Sequence, residues 1–265
     1  MKDVYEVLTQ LRRQGERAVL ATVVDTRGSA PRKEGAKMVV QTDGRIVGTI
    51  GGGSLEHQVI RAALEVLNGK GAHLAHFELT NEDASREGMM CGGRVAVFLE
   101  PIAPLPVLYL FGAGHISQSL ARLAKMVDFH VVVIDDRSEF ANAERFPEAD
   151  ETIAGDFATV MPQLQVNGSA YIAIVTRGHQ QDAQVLEWAA RTEAGYVGMI
   201  ASRKKIRTIF TQLQTQGVTE AQLARVHTPI GLPIGAETPE EIAVSIVAEL
   251  IQVRQSLNKT KPETA

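Results

Sequence analysis

Cys91, the single cysteine of this chain, lies in GMMCGGRVAVFLEP, with Gly88 before it, Gly92 and Gly93 after it and Arg94 close behind. Glycine N–H groups and a guanidinium both favour the thiolate, the form that acts as nucleophile and as soft metal ligand. A thiol held in a core would be inert, and the residues alone leave a reactive and a packing role open. One cysteine excludes an intrachain disulfide and any site built from several thiolates.

Two glycine-bearing stretches earlier in the chain have similar character. RGSAPRKEGAKM combines Arg27, Ser29, Arg32, Lys33 and Lys37 with Gly and Pro. Such a loop cradles a phosphate or pterin-like anion, or is an ordinary solvated basic loop. GTIGGGSLEHQ places Gly51, Gly52 and Gly53 before a helix, with Glu56 in its first turn. Three glycines in a row carry an entropic cost that a close approach to the backbone would explain. Glu56 can bind a ligand or pair with a base, and an acid in a first turn also suits the helix dipole.

The second half carries VLYLFGAGHISQSLARLA, a strand, a Gly-x-Gly turn and an amphipathic helix. Gly112 and Gly114 allow the tight turn and bring backbone N–H groups to a phosphate at the helix start. HVVVIDD ends in Asp135 and Asp136 about twenty residues on, where a ribose-binding acid belongs. Position 117 is Ser where the fingerprint has Gly or Ala. A turn that only packs helix on strand is the alternative. VTRGHQQDAQ places Thr176, His179 and Asp182 at the carboxyl end of a later strand, the edge that also carries His115. Two histidines and an acid can bind a metal, polarise an oxyanion or shuttle a proton, or they merely line a loop.

The elements that position these groups divide in two. Residues 4–13 read as a helix and 18–26 as a strand; 36–50 read as a hairpin about Asp43-Gly44. Ser54 is the expected N-cap of a helix closed by Gly69, and HLAHFEL and RVAVFLE are two more strands. PIAPLP (101–106) breaks helix and strand and is the expected linker. Beyond it, VLYLFGAG, HVVVIDD, YIAIVT and YVGMIA are nearly continuous apolar runs between helices, the pattern of a parallel sheet covered on both faces. Thr238, Pro239 and Glu241 form a capping box for the last helix. The expected fold is α/β: a mixed α+β domain over 1–103, a Rossmann-like doubly wound domain over 104–258, and a disordered tail over 259–265.

Net charge of −4 and a pI near 6.0 give no electrostatic case for a nucleic-acid partner. The longest apolar runs, such as IAVSIVAELI, are about half a membrane span. MKDVYEVLTQLRRQGE has no signal-peptide core. A soluble, reduced, cytoplasmic protein with no membrane partner is expected, with a homodimer as the default assembly.

Taken together these stretches resemble the XdhC/CoxI family, accessory proteins of molybdenum hydroxylases such as xanthine dehydrogenase. RGSAPRKEGAKMVV, GTIGGGSLE, GMMCGGRVAVFLEP, LYLFGAGHIS, VVVIDDR, GYVGMIASRKK and HTPIGLPIGAETPEEIAVSIVAEL carry the resemblance, in order from residue 27 to about 251. It implies a family-specific N-terminal domain, a C-terminal Rossmann domain, and a role in binding molybdenum cofactor (molybdopterin), assisting its sulfuration and delivering it to an apo-hydroxylase. A sulfur-donating cysteine desulfurase would be a further partner. By the same resemblance Cys91 would lie near the molybdenum or the transferred sulfur. Gly51, Gly52, Gly53, Glu56, Gly92, Gly93 and the loop residues Arg27, Ser29, Arg32 and Lys37 would shape the pterin-phosphate pocket. Gly112, Gly114 and Asp135 would hold NAD(P) or the nucleotide half of a dinucleotide cofactor, with His115, His179 and Asp182 facing the same cleft. A chaperone role is the leading expectation; an NAD(P)-dependent oxidoreductase using His179, or a nucleotide-responsive regulatory module, are its rivals.

Overall fold

Along Ala18–Arg27 the apolar residues alternate, Val19, Ala21 and Val23 against Ala18 and Leu20, and the segment folds as β1, apolar on both faces. The structure, a computed structural model, describes residues 3–28, 32–78 and 93–259, so Ser29, Cys91 and Gly92 lie outside the described residues. Strands β2 (Lys37–Gln41), β3 (Ile46–Gly48), β4 (His73–Glu78) and β5 (Arg94–Ile102) join β1 in an antiparallel sheet ordered β3-β2-β1-β5-β4. Helix α1 (Val4–Arg13) buries Val7, Leu8 and Leu11 against one face. Helix α2 (Gly53–Glu65) buries Leu55, Val59 and Ala63, spaced by four, against the other.

This unit runs to Pro104, and a second begins at Leu105. The second has β6 (Val107–Phe111), β7 (His130–Asp135), β8 (Glu151–Ala154), β9 (Ala170–Ile174), β10 (Tyr196–Met199) and β11 (Val226–His227) in one parallel sheet ordered β11-β10-β9-β6-β7-β8. The chain starts in the middle at β6, winds outward to β8, then returns to β9 and winds the other way. Helices α3 (His115–Met126) and α8 (Pro239–Lys259) cover one face, and α4 (Phe157–Val160), α5 (His179–Ala190) and α6 (Arg203–Thr215) the other. A short α7 (Glu220–Ala224) leads into β11. This is the doubly wound Rossmann arrangement, with its reversal of winding between β6 and β9.

Three expectations change. Ser54 is not the N-cap of α2: Gly52 is, and the buried Ser54 hydroxyl has no hydrogen-bond partner among the described residues. Pro101 does not end β5: it lies opposite Val19 of β1 but beyond Leu99, the last residue paired with β4, so one side of the strand is open there, where proline is tolerated, and the strand continues to Ile102. Strands β8 and β11 have no apolar run to announce them; they are short and sit at the sheet's two edges. Thr238 and Glu241 do close the expected capping box at α8.

Buried Glu249 of α8 ties the outer strands together. It accepts from the Tyr196 hydroxyl (2.5 Å), from the Gly231 N–H (2.9 Å) and from Nδ1 of His227 (3.1 Å). Burial alone would raise this carboxyl, but His227, Tyr196 and the Gly231 N–H outweigh it and hold the group below the ordinary glutamate range. Its contribution to stability is therefore complete above the ordinary value and is lost as pH falls through the folded one. Glu249→Gln is expected to lower stability by about 2–4 kcal/mol at neutral pH and to flatten the acid side of the stability profile. Thermal melts from neutral to acidic pH test this; a variant that keeps the parent's acid slope would rule it out.

Candidate functional site

In the first unit, antiparallel register gathers the flagged segments at one end of the sheet. Arg27, the last residue of β1, lies opposite Arg94, the first of β5, and Arg94 lies opposite Glu78, the last of β4. Glu78 and Arg94, on either side of the Cys91 segment, are thus register partners. Lys37 opens β2 opposite Thr22, five positions short of Arg27 along β1, and the turn after β3 bonds back to it through Thr49 N–H to the Lys37 carbonyl (3.2 Å). Arg27 is exposed and pairs with Asp25 (3.4 Å), Arg94 pairs with Glu78 (2.7 Å), Arg32 and Lys33 are exposed, and Gly93 is buried. These exposed pairs contribute little to stability.

Glu56 builds the adjoining turn. One of its carboxylate oxygens accepts from the Thr49 hydroxyl (2.6 Å), Gly52 N–H (3.0 Å) and Ile50 N–H (3.1 Å). Burial acts to raise this carboxyl, but the hydrogen bonds from Thr49, Gly52, Ile50 and Gly51 prevail and lower it, so it is an anion at neutral pH. Gly51, Gly52 and Gly53 have φ of 140°, 82° and 59°, a run that other residues rarely adopt. Glu56 therefore holds the glycine turn in shape.

In the second unit the crevice lies where β6 and β9 part. Gly112 has φ of 102°, and a Cβ there would sit 2.3 Å from the Val175 carbonyl oxygen, so both conformation and packing demand glycine. Gly114 differs: its φ of −81° is ordinary, and a Cβ would meet nothing within 4 Å. Its freedom is useful to something that approaches from outside. Gly114 and Gly178 are the N-caps of α3 and α5, and neither offers a side chain to the first-turn N–H groups. Both helix starts flank the winding reversal, ready to receive anions.

Asp135, expected to take a ribose, is buried and already has four donors. Its carboxylate accepts from Ala113 N–H (2.8 Å), Arg137 N–H (3.1 Å) and the Arg137 guanidinium (2.8 and 3.0 Å). The acid presented at this edge is Asp136, which accepts from Arg177 (2.6 Å) and Gln181 (3.1 Å). Thr176 and Asp182 are brought together, Thr176 Oγ1 donating to Asp182 (2.6 Å), but Asp182 is fully buried and its other oxygen takes the Lys205 ammonium. His115 and His179 are exposed first residues of α3 and α5. Among the described residues no three His, Cys, Asp or Glu side chains group as metal ligands. Among the described residues no helix is long and apolar enough to cross a membrane.

Residues 108–250 match the family model of the XdhC Rossmann domain, and residues 11–78 that of the XdhC and CoxI family. The chain belongs to the XdhC and CoxI family. This XdhC/CoxI chain is 36% identical over 255 residues to YqeB, an uncharacterized protein of Escherichia coli; 96% of the chain is covered but 47% of YqeB, so it spans about half of that relative's length. It is 24% identical over 270 residues to the molybdenum cofactor insertion chaperone PaoD of Escherichia coli, covering 91% of the chain and 84% of PaoD. A xanthine dehydrogenase from Bacillus halodurans superposes with a TM-score of 0.54 at 25% identity, covering 97% of each chain.

Sequence reasoning did not assign roles to Arg137, Gln181 or Lys205 of this XdhC/CoxI protein. Arg137 follows two acids directly and could have been found as their partner. Lys205 stands 23 positions from Asp182, and only the fold joins them. Two expectations follow for the glycine turns. Gly112→Ala is expected to destabilise by about 3 kcal/mol, whereas Gly114→Ala stays within about 1 kcal/mol of the parent; equal melting temperatures for the two would contradict the packing difference. Glu56→Ala is expected to lower stability by about 1–3 kcal/mol and to speed amide exchange at Ile50 and Gly52 about tenfold, read by hydrogen exchange.

Proposed function

We propose that this chain is an accessory factor that takes molybdenum cofactor as cargo, assists its terminal sulfuration and hands it to an apo molybdenum hydroxylase. The observation that carries this reading is the meeting of Arg27 with both flanks of the Cys91 segment at one end of a sheet toward which Lys37 and the Gly51–Gly53 turn, nearer mid-sheet, also open. Backbone N–H groups and cations there suit a pterin phosphate. A thiolate at Cys91 suits molybdenum or the sulfur in transfer. Family membership supports the reading, as do the names of the two relatives, an insertion chaperone and a xanthine dehydrogenase.

In this reading the partners are the apo-hydroxylase and a sulfur-donating cysteine desulfurase, and the factor works as a cytoplasmic homodimer. The Rossmann unit receives NAD(P) or the nucleotide half of a dinucleotide cofactor. Phosphates lie on the uncapped starts of α3 and α5, and Asp136, whose Oδ2 takes Arg177 and Gln181, meets a sugar through its other oxygen in place of the buried Asp135. The protein itself turns over no small substrate.

Protein exposed to a cofactor-producing extract is expected to retain molybdenum and pterin, measured by elemental analysis and by fluorescence of the oxidised pterin. Cys91→Ala should melt like the parent yet fail to activate the hydroxylase. Full activation by that variant would remove the cysteine from the mechanism. Protein that stays empty but reduces NAD(P) with a small alcohol or aldehyde would replace the chaperone reading by the oxidoreductase one.

A further inference from the structure

The chain leaves β7 through Asp135, Asp136 and Arg137, residue types that select opposite ligands. At this end of the second strand of a Rossmann unit, an acid accepts from a free ribose 2′-hydroxyl, whereas an arginine takes a 2′-phosphate. Hydrogen bonding decides which of the three is open. Arg137 is committed: its Nε and Nη2 both donate to Asp135 (2.8 and 3.0 Å), and its guanidinium lies over the Phe140 ring at 3.6 Å. Asp135 is buried, and its remaining contacts are the N–H groups of Ala113 and Arg137. Only Asp136 is left.

Asp136 is anchored through one oxygen. Its Oδ2 accepts from Arg177 (2.6 Å) and Gln181 (3.1 Å), on either side of the α5 start. Those donors follow β9 and Asp136 follows β7, so they hold the carboxylate from across the end of β6. Arg177 and Gln181 are therefore positioning residues. Oδ1 lies 3.8 Å from Arg137 Nε and takes no hydrogen bond among the described residues. A fixed carboxylate with one open oxygen accepts from a hydroxyl and repels a phosphate. The surrounding charge acts the same way: Glu139 adds a further negative charge beside Arg137, while Arg137 and Arg177 are both paired. The remaining cation, Arg145, shares the Phe140 ring at 4.7 Å and has its Nε buried, without a partner among the described residues.

The α3 start next to this acid suits the 5′-phosphate of the same nucleotide. Ala113 N–H donates to Asp135 (2.8 Å), so the glycine turn and the end of β7 are in contact. Ser117, in the first turn of α3, is fully buried, and its hydroxyl has no partner among the described residues. Helical side chains lean toward the N-terminus, which directs this hydroxyl back to the start that Gly114 leaves uncapped. A buried hydroxyl without a partner is costly, and a phosphate oxygen or its bound water would supply one. We propose that the Rossmann crevice selects a ribonucleotide with a free 2′-hydroxyl and rejects a 2′-phosphorylated one, with Asp136 as the residue that decides. NAD and the nucleotide half of a dinucleotide cofactor share that sugar, and NADP does not. This rests on the reading of the Rossmann unit as a nucleotide site.

The test is calorimetric titration of the full chain with NAD, NADP, and ADP, GDP and CDP beside their 2′-deoxy forms. NAD should bind at least about tenfold tighter than NADP, and each diphosphate that binds should lose about tenfold without its 2′-hydroxyl. Asp136→Asn, checked for an unchanged melt, keeps an acceptor but removes the charge, and should bring NAD and NADP to within about threefold of each other. Gly114→Ala should weaken every nucleotide about tenfold; unchanged binding there puts the ligand outside the crevice and overturns the inference. NADP binding as tightly as NAD overturns it as well, and loss of that NADP affinity in Arg145→Gln would assign the 2′-phosphate to Arg145. Equal binding of ribose and deoxyribose forms overturns the inference and leaves the nucleotide reading intact. Failure of every nucleotide to bind removes that reading and the inference with it. Preference for NAD over the diphosphates supports NAD as occupant, and preference for GDP or CDP supports the cofactor's nucleotide half.

Discussion

Between β6 and β9 there is no room for a side chain at Gly112. The Val175 carbonyl stands 2.3 Å from where a Cβ would be, while Gly112 N–H donates to Ile134 and Val175 N–H to Phe111 (both 2.8 Å). The chain leaving β6 is thus bonded to both neighbouring strands before it turns into α3. That close approach fixes the direction in which α3 starts and delivers Ala113 N–H to the Asp135 carboxylate. The whole carboxyl edge of the parallel sheet takes its shape from this crossing.

Three buried carboxylates then stitch that shape together, each between elements separated in sequence. Asp135 joins the end of β7 to the turn after β6, Asp182 joins the loop after β9 to α6, and Glu249 joins α8 to β10, β11 and the loop beyond. A buried anion is tolerable only when its lone pairs are filled, and each of these has two or more donors. Such groups have nothing left to offer a ligand. The chemistry open to solvent falls to their neighbours instead: Asp136 beside Asp135, and Lys204 beside Lys205.

This distinction marks how far the sequence could be read. Four of the parallel strands, the Asp43-Gly44 hairpin and the α8 capping box follow from period and turn chemistry, which are local. Asp135 and Asp136 are adjacent and chemically alike, so the sequence could not tell which is spent on Arg137. Strands β8 and β11 carry too few apolar residues to declare themselves, being edges fixed by the ladder. The gathering of Arg27, Lys37 and the Cys91 flanks depends on strand order, which no single segment encodes. The serine at position 54 misled because Gly52, with a positive φ, caps the helix two positions earlier.

Helix starts offer the sharpest separation between structural and binding roles. Asp3, Asp156, Ser202, Thr219 and Thr238 cap α1, α4, α6, α7 and α8 with side-chain oxygens. Glycine stands at the N-caps of α2, α3 and α5 alone among these helices. Stability gives little reason for the difference, since a glycine cap is only a few tenths of a kcal/mol worse than serine. An incoming anion gives a larger one: a side-chain oxygen would occupy the same N–H groups, and a carboxylate would also repel the ligand. At α2 positive φ values force glycine, but at Gly114 and Gly178 neither φ nor neighbours do. The glycines with no structural reason to be glycine are those at the starts of α3 and α5, at the mouth of the Rossmann crevice.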